Sequence, residues 1–141
     1  SFDTTGEWSV VGILHKDTPL SLPLTADRYE GISLAWVAYG TYVLNSGRLP
    51  SEEIAVVHLR YQDGTEENHS IVSHRDIYDF RDPYVPTRSL VYQEALYQKI
   101  CRTDLRILNP EKILTDIEIR PTWNEGEIGI ALFAATAWRN K

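Results

Sequence analysis

The chain has 141 residues, of which 43 % are hydrophobic and 24 % charged; this is one domain's length, with enough apolar residues for a core. Lys and Arg number 14 against 20 Asp and Glu, so the formal charge is −6 and the pI about 5.1, which excludes the basic surplus a nucleic-acid binder uses to displace phosphate counterions. No apolar run reaches membrane-spanning length, and the absence of Met makes Ser1 the expected start of a piece excised from a larger protein.

Trp8 to His15 is rich in β-branched residues and lacks helix caps, so it reads as a strand. Lys16 to Gly31 carries Pro19 and Pro23 and is expected to be loop with one short extended piece. Ile32 to Leu44 is apolar on both alternating rows, as suits a central strand covered on both faces. Gly40 hints at a bulge within it.

The clearest local signal is a hairpin. Ile54 to Tyr61 leads into Gln62-Asp63-Gly64-Thr65, where Asp-Gly supplies the positive φ of a tight turn, and Glu66 to Ser73 returns. Alternation puts Ala55, Val57, Leu59 and Tyr61 on the core face, and sends Ile54, Val56, His58 and Arg60 outward or into a groove. Asp76 to Ser89 follows as a long loop, punctuated by Pro83 and Pro86 and expected to be tied down by Tyr78, Phe80 and Tyr84. Tyr92 to Ile100 suits either a helical turn or a strand. Thr103 to Leu108 and Leu114 to Arg120 read as strands around an Asn109-Pro110 turn. Trp123 to Gly126 connects to a long closing strand, Ile128 to Trp138. Short strands separated by turn signals point to a β-sandwich or jelly roll.

Few of these residues suggest catalysis. The lone Cys101 excludes internal disulfides and sits in an alternating stretch, where a buried thiol is the expectation. There is no nucleophile elbow, phosphate-cradling glycine loop or dinucleotide fingerprint. His69 and His74 are five apart and would face opposite ways on a strand. His58 and His69 lie about equally far from the Asp63-Gly64 turn, and could converge on a metal in a jelly-roll enzyme. Residues 51 to 82 hold 8 acids and 3 bases, a net of −5, either as solvated surface or as an acidic rim for a cation or sugar hydroxyls. Aromatic side chains make up 11 % of the chain. Those on strands suit the core, whereas Tyr78, Tyr84, Tyr92 and Tyr97 lie in or near loops, where exposed rings serve recognition.

The order of motifs resembles the galactose-binding-like (discoidin and carbohydrate-binding-module) β-sandwich domains of bacterial cell-surface proteins and glycoside hydrolases. The likeness rests on the apolar run from Ile32 to Tyr39 and the Tyr61-Gln62-Asp63-Gly64-Thr65 turn. It continues through Ser73-His74-Arg75-Asp76-Ile77-Tyr78-Asp79-Phe80, the Asn109-Pro110 joint with Ile113 and Ile117, and the closing strand. Glu111-Lys112 stands where a second Pro is common, and the segment before Ile32 has no match.

The resemblance implies an all-β, jelly-roll β-sandwich spanning residues 1–141 and a non-catalytic role in binding a glycan. Many members also carry a structural calcium, whose ligands these residues do not place. The expected module is exported to the cell surface, where its partner is a glycan or a neighbouring domain of its parent. Tyr78, Tyr84 and Trp123 are the expected stacking platforms, with Arg75, Asp79, Arg81 and His58 as polar partners. A structural or protein-interaction sandwich without a sugar ligand is the alternative, and the metal-dependent enzyme a third reading.

Overall fold

The computed structural model describes residues 2–8, 12–14, 18–22, 24–39, 53–73, 75–77, 89–95, 98–123 and 129–140. Every regular element among them is a strand: β1 (Phe2–Trp8), β2 (Gly12–Leu14), β3 (Leu20–Leu22), β4 (Gly31–Tyr39) and β5 (Glu53–Tyr61). These are followed by β6 (Glu66–Val72), β7 (Ser89–Ala95), β8 (Gln98–Arg106), β9 (Leu114–Pro121) and β10 (Gly129–Asn140). They form two antiparallel sheets. One is six-stranded in the order β1-β10-β4-β8-β7, with β2 also pairing β10; the other is four-stranded in the order β3-β9-β5-β6. The inner faces enclose one apolar core, to which Trp36, Ile130 and Leu132 contribute from the first sheet and Val57, Leu59, Ile117 and Ile119 from the second. The molecule is a β-sandwich.

Most sequence expectations have counterparts in these strands. The short extended piece before Gly31 is β3. Tyr92 to Ile100 resolves to β-structure on both sides of residues 96–97, as β7 and the start of β8. Of the Trp8 to His15 strand, Gly12–Leu14 is β2 and Trp8 ends β1, whose other residues were not expected to be a strand, while Gly40 lies outside the described residues. β4 is central and buried on both rows: Ile32, Leu34, Trp36 and Ala38 face the core, and Ala35 and Val37 on the other face are also buried. Cys101 is fully buried, with its thiol donating to the Trp36 carbonyl at 3.3 Å, so it is shielded from reagents.

Bulges correct the parity wherever simple alternation fails. The Leu132/Ala134 irregularity in β10 leaves Phe133 exposed and lets both Ile130 and Leu132 on one side, and Ala135 and Ala137 on the other, reach the core. A second shift opposite Arg60 and Tyr61 turns Leu114 inward, although alternation along β9 groups it with Asp116, Glu118 and Arg120.

The hairpin turn holds Tyr61 N–H on the Thr65 carbonyl at 2.9 Å and Gly64 N–H on the Tyr61 carbonyl at 3.0 Å. Asp63 Oδ1 accepts from Thr65 N–H at 2.9 Å and from its hydroxyl at 2.5 Å, a side-chain mimic of a backbone turn. Gly64 has φ of 89°, so a three-residue loop closes through a left-handed residue. Gly64→Ala meets no atom within 4 Å and its cost is therefore purely conformational. We expect about 1 kcal/mol of lost stability, read from chemical unfolding, with no change in the rest of the fold.

The long free edge of the four-stranded sheet, β6, is partly closed by its own chain. Arg75 donates to the Ser70 carbonyl at 2.9 Å, and Val72 N–H donates to Asp76 Oδ2 at 2.9 Å. The N–H groups of Arg75 and Asp76 turn back to the Val72 carbonyl at 3.2 and 2.9 Å. This is a cap on a strand edge, made by a charge pair whose Asp76 is buried.

Candidate functional site

The outer face of the four-stranded sheet carries an open groove of about 350 Å³. Its floor and walls include His58 and Arg60 from β5, Glu66 from β6, and Asp116, Glu118 and Arg120 from β9, with Ser21 of β3 at the far side. Register explains the arrangement. His58 is paired across to Glu118 on one neighbour and to Asn68 on the other, while Arg60 is paired to Asp116 and to Glu66. Paired residues share a sheet face, with Cα atoms about 4.5–5.5 Å apart, so these side chains stand side by side along the groove.

Both guanidinium groups are held in place by carboxylates. Arg60 meets Glu66 at 3.0 Å and Arg120 meets Glu118 at 2.6 Å. Exposed pairs of this kind contribute little stability, but they fix where the remaining N–H donors point. Asp116 accepts only from its neighbour's hydroxyl, Thr115, at 2.9 Å and has no basic partner among the described residues. His58 is half-buried and makes no hydrogen bond or ion pair at all among the described residues. The groove thus holds an imidazole whose ring nitrogens have no partner among the described residues, beside fixed donors and acceptors.

The structure places the other expected site residues differently. Trp123 is only 6 % exposed and belongs to the core cluster, so its ring is a packing element and not a platform for a ligand. Its position just after β9, where the chain turns in against Ile54 through the Thr122 N–H bond of 3.0 Å, carries the indole inward. Arg75 spends its guanidinium on Asp76 at 2.7 Å and on the Ser70 carbonyl, capping the β6 edge. Tyr78, Asp79, Arg81 and Tyr84 lie outside the described residues, as does His74. His58 alone of the seven is seen in the groove.

The two histidines do not converge. His58 pairs with Asn68, and His69 with Val57, so the hairpin is offset by one residue from the pairing that would face them together. With a period of two, that single residue sends them to opposite faces of the sheet. His69 instead donates from Nε2 to Glu67 Oε2 at 2.5 Å on the inner side. No group of three His, Cys, Asp or Glu residues able to hold a metal occurs among the described residues.

The acidic stretch also has a structural account. Glu53 accepts from the Ser70 hydroxyl, Asp63 pairs with Lys112 at 3.2 Å, and Glu66 pairs with Arg60. Asp76 pairs with Arg75, and Glu67 collects several donors inside the sandwich. Each described acid of residues 51 to 82 therefore has a donor from its own chain. Sequence reasoning missed Glu67 as a buried group, because nothing in Glu66-Glu67 marks which of two adjacent carboxylates faces in.

No family model, curated protein or solved structure matches the chain. Fold and site together define a class: an all-β, two-sheet antiparallel sandwich with a polar groove on the outer face of its smaller sheet.

Proposed function

We propose that the chain is a non-catalytic carbohydrate-recognition module, with the jelly-roll connectivity of galactose-binding-like domains, acting as an accessory part of a larger exported protein. The observation that carries this reading is His58, without a partner among the described residues and set in a groove with fixed guanidinium donors and the carboxylates of Asp116 and Glu118. A sugar hydroxyl donates one hydrogen bond and accepts others, so it needs donors and acceptors side by side. The groove supplies both, donors from Arg60 and Arg120 and acceptors from Asp116 and Glu118. Aromatic stacking would come from Tyr78 and Tyr84, on the segment that follows the β6 edge cap. The large apolar side chains exposed among the described residues are Leu108 and Phe133, on separate elements, which is less than a packing module offers a neighbouring domain.

A glycan-array screen of the purified chain, with and without calcium, tests the proposal. Binding to a defined saccharide is expected, weakened about tenfold by His58→Ala, the loss expected from a hydrogen bond of about 1.4 kcal/mol. Tyr84→Ala should weaken it as well. A chain that binds no glycan in either condition, or whose binding survives both substitutions unchanged, would overturn the reading.

A further inference from the structure

Behind the groove, on the inner side of the same hairpin, lies a carboxylate that the binding site does not use. Glu67 is 6 % exposed. Its Oε1 accepts from the Tyr61 hydroxyl at 2.5 Å and from Asn109 Nδ2 at 3.1 Å. Its Oε2 accepts from His69 Nε2 at 2.5 Å, and the Leu108 N–H reaches both oxygens at 2.9 and 3.1 Å. Tyr61 and His69 belong to the β5–β6 hairpin, whereas Leu108 and Asn109 belong to the connection from β8 to β9, between the two sheets. One ionised side chain therefore joins two pieces of backbone 41 residues apart in sequence.

We propose that Glu67 is an acid-operated latch: as a carboxylate it pins the β5–β6 hairpin to the β8–β9 connection, and its protonation releases the hairpin while the six-stranded sheet stays folded. The chemistry of the surrounding groups carries this. A protonated Glu67 must donate from one oxygen, yet the Leu108 N–H facing it can only donate, and His69 Nε2 and the Asn109 amide also face it as donors. The Tyr61 hydroxyl, the other neutral tautomer of His69 or a turned Asn109 amide could accept only by giving up the bond each now donates. Uptake of one proton thus replaces a satisfied cluster with opposed donors in a buried place.

The direction of the carboxyl's titration agrees. Burial pushes it up, but the bonds from Tyr61, Leu108, His69 and Asn109 outweigh burial and hold it below the usual carboxylate range. A group with a depressed folded value contributes its stability above the ordinary carboxylate range, and loses that contribution as pH falls through the folded value.

Other charges around the hairpin are set apart from the latch. At the tip, Lys112 pairs with Asp63 at 3.2 Å and lies 5.6 Å from the Tyr61 ring centroid; hydrogen bonds from Thr65, with help from Lys112, bring the Asp63 carboxyl down to about 2. Arg60 and Glu66 face the groove on the opposite side, and Arg75 with Asp76 hold the far end of β6. The tip and edge contacts limit release to a local opening. Of the groove residues Glu66 lies on β6, within the segment that opens, so the opening takes from the groove wall the carboxylate that holds Arg60.

Backbone amide hydrogen exchange on the whole chain from pH 7 to pH 3, corrected for intrinsic exchange rates, reads the latch directly. Protection of residues 61–72 and of the Leu108 amide should fall about tenfold or more in acid, while β4 and β10 change by less than about twofold. Glu67→Gln should show the lowered hairpin protection already at pH 7, with no further acid step. Tyr61→Phe, which removes one donor to the carboxylate and keeps the ring, should move the release to higher pH. Loss of protection in the hairpin and the six-stranded sheet together would overturn the proposal. So would an acid step at the same pH in wild type and in Tyr61→Phe.

Discussion

Trp36→Ala should be the most damaging single substitution among the described core residues, costing about 3–5 kcal/mol. The ring is fully buried at the centre of β4 and faces the four-stranded sheet, so its removal leaves a large void between layers that cannot slide together. A second loss comes with the first. Trp36 Nε1 donates to Thr103 Oγ1 at 2.9 Å, and the Thr103 hydroxyl in turn donates to the Asp76 carbonyl. This chain runs from the middle of the larger sheet to the residue that caps the edge of the smaller one. Trp36→Phe keeps most of the volume and removes only the indole donor, so about 1–2 kcal/mol is expected from it. Chemical unfolding of the two variants separates packing from hydrogen bonding. Equal costs for both would mean that the void is filled by relaxation and that the premise of a rigid core is wrong.

Gly31→Val should be the next most costly change, at about 1–3 kcal/mol or more, and for the opposite reason. Gly31 is paired with Trp138 across β4 and β10, and the indole folds over it on the outer face. A Cβ at Gly31 would stand 2.1 Å from Cζ2 of that ring and 2.5 Å from Cε2. The ring is not free to swing aside. Its Nε1 donates to Ser33 Oγ at 3.1 Å, and Ser33 donates to Asp104 at 2.6 Å, so displacement breaks a relay across three strands. Trp138→Ala in the same background should recover part of the loss, since it removes the clash. A double-mutant cycle with additive costs, showing no coupling between Gly31 and Trp138, would refute this account.

Local chemistry explains which parts of the molecule could be read from its residues. The hairpin was legible because Asp-Gly has few backbone options, and because Ala55, Val57, Leu59 and Tyr61 form an apolar row that only one face of a strand can bury. β4 was legible for a related reason, being apolar on both rows. Register was not. Whether His58 meets Asn68 or His69 depends on closing the turn through three residues with Gly64 left-handed, one residue away from the alternative. Bulges were equally hidden: Leu114 joins the core through an irregularity that depends on its partner strand.

The site shows the same division. His58 was expected to face outward or into a groove, and alternation along β5 sufficed for that. Its neighbours Glu118 and Asp116 were not chosen, because they come from a strand more than fifty residues away and only pairing brings them together. Trp123 was misread because an aromatic in a connecting segment suits recognition and packing equally well, and burial decided for packing. Arg75 was chosen as a polar partner, and its part in capping the β6 edge was hidden because its partners are a backbone carbonyl and the next residue in the chain.

That cap restricts how the domain can assemble. With the Ser70 carbonyl and both backbone groups of Val72 already engaged by Arg75 and Asp76, the outward backbone groups left on β6 are those of Glu66 and Asn68 and the Ser70 N–H. So short a stretch is a poor template for an incoming strand, and Glu66 brings a negative charge to it. The smaller sheet is therefore closed to growth by strand addition along this edge, whether from a second copy or from an unfolded chain. Away from the β3 edge, contacts that recruit this sheet lie flat on its polar face, where binding depends on side chains rather than on shared backbone.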